Sequence, residues 1–248
     1  IQRMSIGVSI RSWVGSTLFG ISYVVSTVVA GVLAPPIALC FPGIHRQKVL
    51  NVHNGILLFL FRIFCGVKVN VQGRENLIKG RSYVIVANHQ SEWETYFLQV
   101  LITPLSTVLK KELLSVPFFG WGLRMVQPIA IDRSQKSNAL KQILKQGKER
   151  LLGGRSVLIF PEGTRVRAGE EKSFNKGAAM LATSADKPIL PIVHNAGEIW
   201  PGKKWLKHPG TINVIIGKPI EVEGKKTSAM HEEMEVWMRT NMAIVATK

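Results

Sequence analysis

Residues Tyr83–Leu101 read YVIVANHQSEWETYFLQVL and contain the transition that decides the fold. The first five residues, Tyr83–Ala87, are apolar and rich in β-branched side chains, which predicts a buried strand. The segment Ser91–Leu101 predicts a helix that begins at Ser91, because serine is a favoured N-cap residue. A buried strand that leads directly into a helix is typical of an α/β domain, and here a histidine, His89, lies at the junction.

The chain after Gly66 continues to alternate between short β-rich runs and helical segments. The further predicted strands are Val67–Val71, Ser156–Phe160, Ile189–Val193 and Thr211–Ile216. The further predicted helices are Gln135–Leu152, Lys176–Ala185 and Thr227–Val245. This alternation predicts an α/β domain with a mixed, mostly parallel sheet flanked by helices.

The composition is both basic and apolar. The 248 residues include 32 Lys and Arg against 16 Asp and Glu, a net charge of +16, while the mean hydropathy is positive. A disordered or purely nucleic-acid-binding chain would be basic and polar, so this balance favours contact with anionic lipid, phosphorylated substrates or an acidic protein. Only two cysteines, Cys40 and Cys65, are present, which argues against a disulfide framework and for a reducing compartment.

The N-terminal region is unusually apolar. No Lys, Arg, Asp, Glu or His occurs from Ser12 to Ile44, and the run Trp13–Ala34 of 22 residues would extend about 33 Å as a helix, enough to cross a hydrocarbon core of roughly 30 Å. Pro35-Pro36 is predicted to break that helix. A second apolar run, Ile56–Cys65, is shorter and contains Arg62.

Three interpretations of this region compete: a transmembrane hairpin, two helices lying in one leaflet, and a signal peptide. The signal peptide is least favoured because the apolar run is too long for one. Membrane attachment is expected, with spanning and monotopic arrangements both open. We therefore predict a membrane-associated helical region over residues 1–66 and a catalytic α/β domain over residues 67–248.

His89 and Glu94 are five residues apart, which on one continuous helix would place them about 140° apart. They can meet only if His89 lies before the helix and Glu94 in its first turn. Glu94 would then accept a hydrogen bond from one ring nitrogen, fix the tautomer and leave the other nitrogen free to take a proton. The alternative is that Ser91 and Glu94 form a capping box and that His89 is an ordinary turn residue.

A second candidate segment, Phe160–Arg165 (FPEGTR), lies at the carboxyl end of the predicted strand Ser156–Phe160. Open α/β sheets bind ligands at that edge. Gly163 permits close approach of backbone to a ligand, Thr164 offers a hydroxyl, and Arg165 offers a planar fork suited to phosphate oxygens. The alternative is a surface turn with a solvated arginine.

Together, Asn88–Glu94 and Phe160–Arg165 resemble two blocks of the PlsC-type glycerolipid acyltransferases, above all the 1-acyl-sn-glycerol-3-phosphate acyltransferases, which pair N-H-x-x-x-x-D with F-P-E-G-T-R. The resemblance extends in order from Val67 to Pro219, through Lys110–Leu113, Val116–Gly120, Ile129–Arg133, Phe174–Gly177 and Lys187–Val193. Three positions depart from the family's pattern. Glu94 replaces its usual aspartate, Gln127-Pro128 stands where glycine is usual, and Val166 stands where serine is common.

The resemblance implies a glycerol-3-phosphate acyltransferase-like fold and an activity. An acyl chain would pass from acyl-CoA or acyl carrier protein to the sn-2 hydroxyl of 1-acyl-sn-glycerol-3-phosphate, forming phosphatidic acid. His89 would be the general base and Glu94 its orienting carboxylate. Residues that would shape the phosphate site are Glu162, Gly163, Thr164 and Arg165, with secondary contacts at Arg133, Lys110 and Lys111. Because no Ser or Cys lies in a nucleophile-elbow motif, direct transfer is favoured over an acyl-enzyme.

The partners implied are a phospholipid membrane, a lysophospholipid and the acyl carrier, at the cytoplasmic face of the cell membrane. The remaining histidines lack ligand spacing, so no metal is expected, and no cofactor beyond the acyl donor. Two alternatives stay open: an acyltransferase of this family that acts on an aminolipid or a lipid A precursor, and a non-catalytic basic protein that binds membranes or nucleic acid. The resemblance favours lipid as the partner and argues against nucleic acid.

Overall fold

The computed structural model describes residues 6–41, 45–132, 134 and 136–246, and in these residues the chain forms eight α-helices and seven strands. The helices are α1 Ile6–Leu39, α2 His45–Cys65, α3 Trp93–Leu101, α4 Phe119–Met125, α5 Lys136–Leu152, α6 Gly177–Ala185, α7 Ala196–Ile199 and α8 Thr227–Val245. The strands are β1 Val67–Gln72, β2 Val84–Ala87, β3 Leu105–Lys110, β4 Ile129–Ile131, β5 Ser156–Ile159, β6 Ile189–His194 and β7 Gly210–Ile216.

The strands form a single sheet in the order β1-β7-β6-β2-β5-β3-β4. All neighbouring pairs are parallel except β6 and β7. β2 lies at the centre, and all four of its residues are buried, as expected for a strand covered on both faces. The predicted fold class, a mixed and mostly parallel sheet flanked by helices, is confirmed.

The two candidate segments follow adjacent strands, because β2 pairs with β5 in parallel register. The chain leaves β2 through α3 toward β3 on one side, and leaves β5 through α6 toward β6 on the other. Adjacent parallel strands whose connections depart in opposite directions open a crevice at their carboxyl ends. The topology therefore creates a cleft where the loops after β2 and β5 meet.

Each face of the sheet carries its own hydrophobic cluster. Helices α5, α6 and α8 cover one face, where Leu181, Met230 and Met234 are buried. Helices α1, α2, α3 and α7 cover the other, where Phe19 and Phe61 pack in one cluster with residues of the α/β part. The N-terminal helices are thus part of the layer that covers the sheet. The predicted division after residue 66, which falls between α2 and β1, stays a prediction.

Helix α1 continues through Pro35 and Pro36 to Leu39, so the expected break at these prolines is wrong. Both prolines lie within the last five residues of the helix, where the lost N–H groups and the ring clash affect only its end. Helices α1 and α2 are each long and apolar enough to cross a membrane, and less than a quarter of either span is buried. Association with a membrane is supported by these exposed apolar helices, as the sequence predicts.

Candidate active site

The two residues expected to act together are in contact. Nδ1 of His89, in the loop after β2, lies 2.7 Å from Oε1 of Glu94, in the first turn of α3. Because a carboxylate can only accept, Nδ1 carries the proton and Nε2 is left with a free lone pair. Glu94 is fully buried, and burial alone would raise its pKa. The hydrogen bond from His89, the electrostatic interactions with His194 and His89, and the backbone N–H of Ser91 outweigh burial and hold the pKa of Glu94 below its ordinary value.

Half of the capping box is also present in the structure: Glu94 accepts the N–H of Ser91, but α3 begins at Trp93, not at Ser91, with Glu92 as its N-cap residue. The same oxygen, Oε1, accepts the backbone N–H of Ser91 at 2.9 Å and that of Gln90 at 3.0 Å, while Ser91 Oγ accepts the N–H of Trp93 at 3.1 Å. Glu94 therefore holds the backbone just before α3 and orients His89 with one oxygen atom. The two interpretations were alternatives in the sequence but coexist in the fold.

The backbone of His89 is held by the loop after β5. Its N–H donates to Oε1 of Glu162 at 3.3 Å, and its carbonyl accepts the N–H of Val166 at 2.8 Å. The His89 ring stacks on Phe160 with ring centroids 4.0 Å apart. Contacts on both backbone groups and on one ring face fix the imidazole at the crevice between β2 and β5.

Glu162 contacts the backbone of His89, and the sequence did not predict this contact. It is buried, and burial raises its pKa to about 7 against the opposing effect of backbone hydrogen bonds, one of them from His89. It lines a second cavity of about 190 Å³, to which Arg165 does not contribute. Its contact holds the backbone of His89, and its expected part in phosphate binding stays a prediction.

Arg165 lies in the same cavity as His89, and its side chain is 35% exposed. Its Nη1 atom is 2.6 Å from Oε1 of Glu92, an ion pair that sequence reasoning missed because the two residues are distant in the chain. Gly163 adopts a φ of +69°, a left-handed conformation that glycine tolerates without strain. Thr164 is exposed and lines neither of the two cavities described here.

The principal cavity is about 330 Å³ and joins the loops after β2 and β5 to the N-terminal helices. Its walls come from α1, α2, α3, β3, the 3₁₀ turn Lys111–Ser115 and α4. The apolar lining includes Ala30, Leu50, Val108, Phe118, Phe119 and Leu123, and the polar mouth includes His89, Glu92 and Arg165. A polar end that opens into an apolar chamber fits a molecule with a charged head and a hydrocarbon chain.

The three secondary candidates separate in the structure. Lys110, at the end of β3, lines the principal cavity. Lys111 turns away and pairs with Asp132, its Nζ 2.5 Å from Oδ2; this contact raises the pKa of Lys111 and lowers that of Asp132. Arg133 lies outside the described residues. The proposed contacts of all three with phosphate or the acyl donor stay predictions.

His194, at the end of β6, is a buried histidine to which the sequence analysis gave no role. Asn88, just before His89, donates to its carbonyl at 2.9 Å and accepts its N–H at 3.0 Å. Its Nδ1 accepts the N–H of Ala196 at 3.2 Å, so Nε2 carries the proton. Burial lowers the pKa of His194 despite the opposing charge of Glu94. The sequence gives one indication of this contact: His89 and His194 each lie just beyond a predicted buried strand. Residues in such positions come together when the two strands are neighbours in a parallel sheet.

Among the residues that the structure describes, no group of three or more His, Cys, Asp or Glu side chains could hold a metal ion. The expectation of no metal and no cofactor stays a prediction.

Comparisons with known proteins were consistent with one another. A model of the family described as Acyltransferase matches residues 68–195. A 1-acyl-sn-glycerol-3-phosphate acyltransferase of Pseudomonas aeruginosa is 48% identical over 192 residues, which are 76% of this chain and 74% of that protein. A Saccharomyces cerevisiae protein of the same name is 34% identical over 168 residues, 66% of this chain but only 55% of its own length.

Among solved structures, the PlsC 1-acyl-sn-glycerophosphate acyltransferase of Thermotoga maritima superposes with a TM-score of 0.80. The match covers 96% of this chain and 99% of the Thermotoga chain at 21% sequence identity. At that identity the likeness shows a common fold, including the N-terminal helices.

Proposed function

The chain belongs to the acyltransferase family and is an acyltransferase, and on that premise we propose that it acylates the sn-2 hydroxyl of 1-acyl-sn-glycerol-3-phosphate to form phosphatidic acid. The names of its relatives support this acceptor. The observation that carries the proposal is the 2.7 Å contact between His89 and Glu94 at the mouth of a cavity that also holds Arg165.

In the proposed mechanism, Nε2 of His89 removes the proton of the sn-2 hydroxyl as its oxygen attacks the thioester carbon. The new C–O bond forms a tetrahedral intermediate, and collapse breaks the C–S bond. The imidazolium returns its proton to the departing thiolate, which leaves as the free thiol of coenzyme A or of acyl carrier protein. Glu94 stabilises the imidazolium and keeps the ring in the required tautomer.

The acceptor would place its phosphate at Arg165 and its acyl chain in the apolar part of the principal cavity. Arginine binds phosphate through paired N–H groups, which would direct the glycerol hydroxyl toward His89. The wall formed by α1 and α2 supports entry of the lipid from a membrane. We place the catalytic loops at the cytoplasmic face, where acyl-CoA and acyl carrier protein are available.

The direct test is acyl transfer by the purified, detergent-solubilised protein. Lysophosphatidate is supplied with acyl-CoA and, separately, with acyl carrier protein thioester. We expect the wild type to produce phosphatidate and His89→Ala to lower kcat by about 10²–10⁴, the usual contribution of a positioned base. His208→Ala removes a histidine outside the site and should leave kcat unchanged.

The phosphate contact is tested in the same assay. Arg165→Ala should raise KM for lysophosphatidate by about tenfold to a hundredfold, since a hydrogen bond to a charged group contributes about 1.5–3 kcal/mol. Arg167→Ala is the matched control, because Arg167 is exposed and pairs only loosely with Glu170. A folded wild type that acylates nothing from either donor would refute the acceptor, and an aminolipid acceptor would then be tested. An active His89→Ala would refute the mechanism.

A further inference from the structure

The polar mouth of the principal cavity contains a carboxylate next to the arginine that would bind phosphate. Oε1 of Glu92 lies 2.6 Å from Nη1 of Arg165, and the Glu92 side chain is 23% exposed. Both residues line the cavity with His89. Glu92 is the only ion-pair partner of Arg165 within the described part of the chain.

The second oxygen of Glu92, Oε2, has no hydrogen-bond partner among the residues described, and turning the carboxylate about its Cγ–Cδ bond would bring it to a ligand in the cavity. Oε2 is buried in the present orientation. A buried acceptor without a donor is costly, and a ligand that brings a donor to it gains the missing interaction. The pair thus offers two different surfaces: guanidinium N–H groups on Arg165 and an unoccupied acceptor on Glu92.

A phosphate monoester with one negative charge complements both surfaces. Its unprotonated oxygens accept from Arg165, and its remaining P–O–H donates to Oε2 of Glu92. A doubly charged phosphate has no proton to donate and brings a second negative charge against the carboxylate. Because phosphate monoesters lose their second proton near pH 6, both forms are present at physiological pH.

We infer that Glu92 is a specificity-determining residue that selects the monoanionic, protonated form of the acceptor's phosphate by accepting its P–O–H proton while Arg165 binds the other oxygens. The inference rests on the proposed function, since it concerns the headgroup of the same acceptor. It deepens that function by specifying the ionisation state in which the acceptor binds.

Other titratable groups face the pair and must be separated from it experimentally. They come from α1, α2, α3, β3, the loop after β2 and the loop before β7: Tyr23, His53, Tyr96, Lys110, His89 and Lys207. Of these, His89 takes part in the chemistry, so the pH dependence of turnover reports on it as well. Binding of an acceptor that cannot react removes the contribution of His89 to turnover and leaves only the effect of its charge on binding.

The experiment uses 1-acyl-propanediol 3-phosphate, which lacks the sn-2 hydroxyl and competes with lysophosphatidate without being acylated. Its inhibition constant is measured from pH 5.5 to 8.5 at a fixed mole fraction in detergent micelles. For the wild type we expect the constant to rise above about pH 6, by up to about tenfold per pH unit as the monoanion is depleted. Glu92→Gln should bind more tightly above pH 7 and lose most of this dependence, because the amide carries no charge and can donate to the dianion.

Two controls make the test specific. Glu221→Gln removes a carboxylate from an exposed ion pair with Arg81 of the same 2.6 Å length, outside the cavity, and should reproduce the wild-type curve. The methyl ester of the inert analogue has one charge and no P–O–H at any of these pH values. Its inhibition constant should vary much less with pH in the wild type, and the variation that remains measures the other titratable groups around the pair.

The results also distinguish this inference from the proposed function. Acylation of lysophosphatidate by the wild type, together with the expected difference between Glu92→Gln and wild type, supports both. Acylation with identical pH curves, or with weaker binding by Glu92→Gln at every pH, overturns the inference and leaves the function intact. A wild type that neither acylates lysophosphatidate nor binds the analogue overturns both.

Discussion

At the scale of single residues, one atom performs two tasks. Oε1 of Glu94 accepts hydrogen bonds from the ring of His89 and from the backbone of Gln90 and Ser91. The first contact holds the ring of His89, and the others bind backbone N–H groups just before α3, the helix that carries Glu94 itself. The geometry of the proposed catalytic pair is therefore coupled to the beginning of α3.

Glu94→Gln is expected to lower kcat by about 10²–10⁴ because an amide neither stabilises an imidazolium nor enforces the tautomer. The amide oxygen can still accept the N–H of Ser91, so the thermal midpoint should fall by only a few degrees. Steady-state kinetics and thermal unfolding in detergent measure the two effects, with exposed Glu75→Gln as the control. Equal kcat for Glu94→Gln and wild type would show that Glu94 acts only as a cap.

Glu162 gives a pH-dependent prediction. Its pKa of about 7 in the folded protein exceeds its ordinary 4.5, so the folded state binds more protons than the unfolded state between these values. Stability from this group is therefore fully present below about pH 4.5 and is lost as pH rises to 7, on the order of 3 kcal/mol in total. Glu162→Gln removes this loss and keeps an oxygen for the N–H of His89.

We expect the thermal midpoint of Glu162→Gln to exceed that of the wild type by about 6–12 °C at pH 8 and to match it near pH 4.5. Thermal unfolding in detergent at both pH values measures the difference, and groups that titrate equally in the two proteins cancel. Glu221→Gln controls for loss of one carboxylate. The same difference at both pH values would contradict the assignment of the raised pKa to Glu162.

At the scale of elements, the sequence predicts well what neighbours in the chain determine. The strand before His89, the helix after it and the final helix Thr227–Val245 follow from local periodicity. Strands β3 and β4 were not predicted from the sequence. The sequence of β3, LSTVLK, mixes polar and apolar residues, and β4 consists of only three residues. Their place in the sheet comes from pairing with distant strands, as does the contact between Glu92 and Arg165, which belong to loops after different strands.

Asn88 joins two elements directly, since its side chain bonds both backbone groups of His194 at the end of β6. Asn88→Ala would leave a buried N–H and a buried carbonyl without partners, at a cost of about 2–5 kcal/mol. We expect a lower thermal midpoint and a reduced kcat, because His89 follows Asn88 immediately. Asn70→Ala, on the exposed side of β1, removes a long side-chain hydrogen bond and should change neither quantity.

At the scale of the whole molecule, helix α1 has two faces with different surroundings. Phe19 is 1% exposed and packs against Phe61 and Trp200, whereas Ile21 is 57% exposed. The sequence indicated an apolar helix but not which face packs on the sheet, because both faces are apolar and periodicity is lost. The same uniformity explains why spanning and monotopic arrangements could not be separated.

Phe19→Ala is expected to destabilise the protein in detergent by about 3–5 kcal/mol, the usual cost of removing a buried phenylalanine. Ile21→Ser should leave the thermal midpoint nearly unchanged but weaken binding to phospholipid vesicles, measured by flotation. The pair of variants thus separates packing on the sheet from contact with lipid. Equal thermal midpoints for the two variants would contradict the assignment of the two faces.

The wall that α1 contributes to the principal cavity has a kinetic consequence. If an acceptor reaches the cavity without leaving the hydrocarbon phase, collisions take place on a surface and not in a volume. The rate should then follow the acceptor's mole fraction among the surrounding lipids, and adding inert phospholipid at constant total lysophosphatidate should slow the reaction by surface dilution. A cell would regulate such an enzyme as effectively by changing the lipid around it as by changing the amount of substrate.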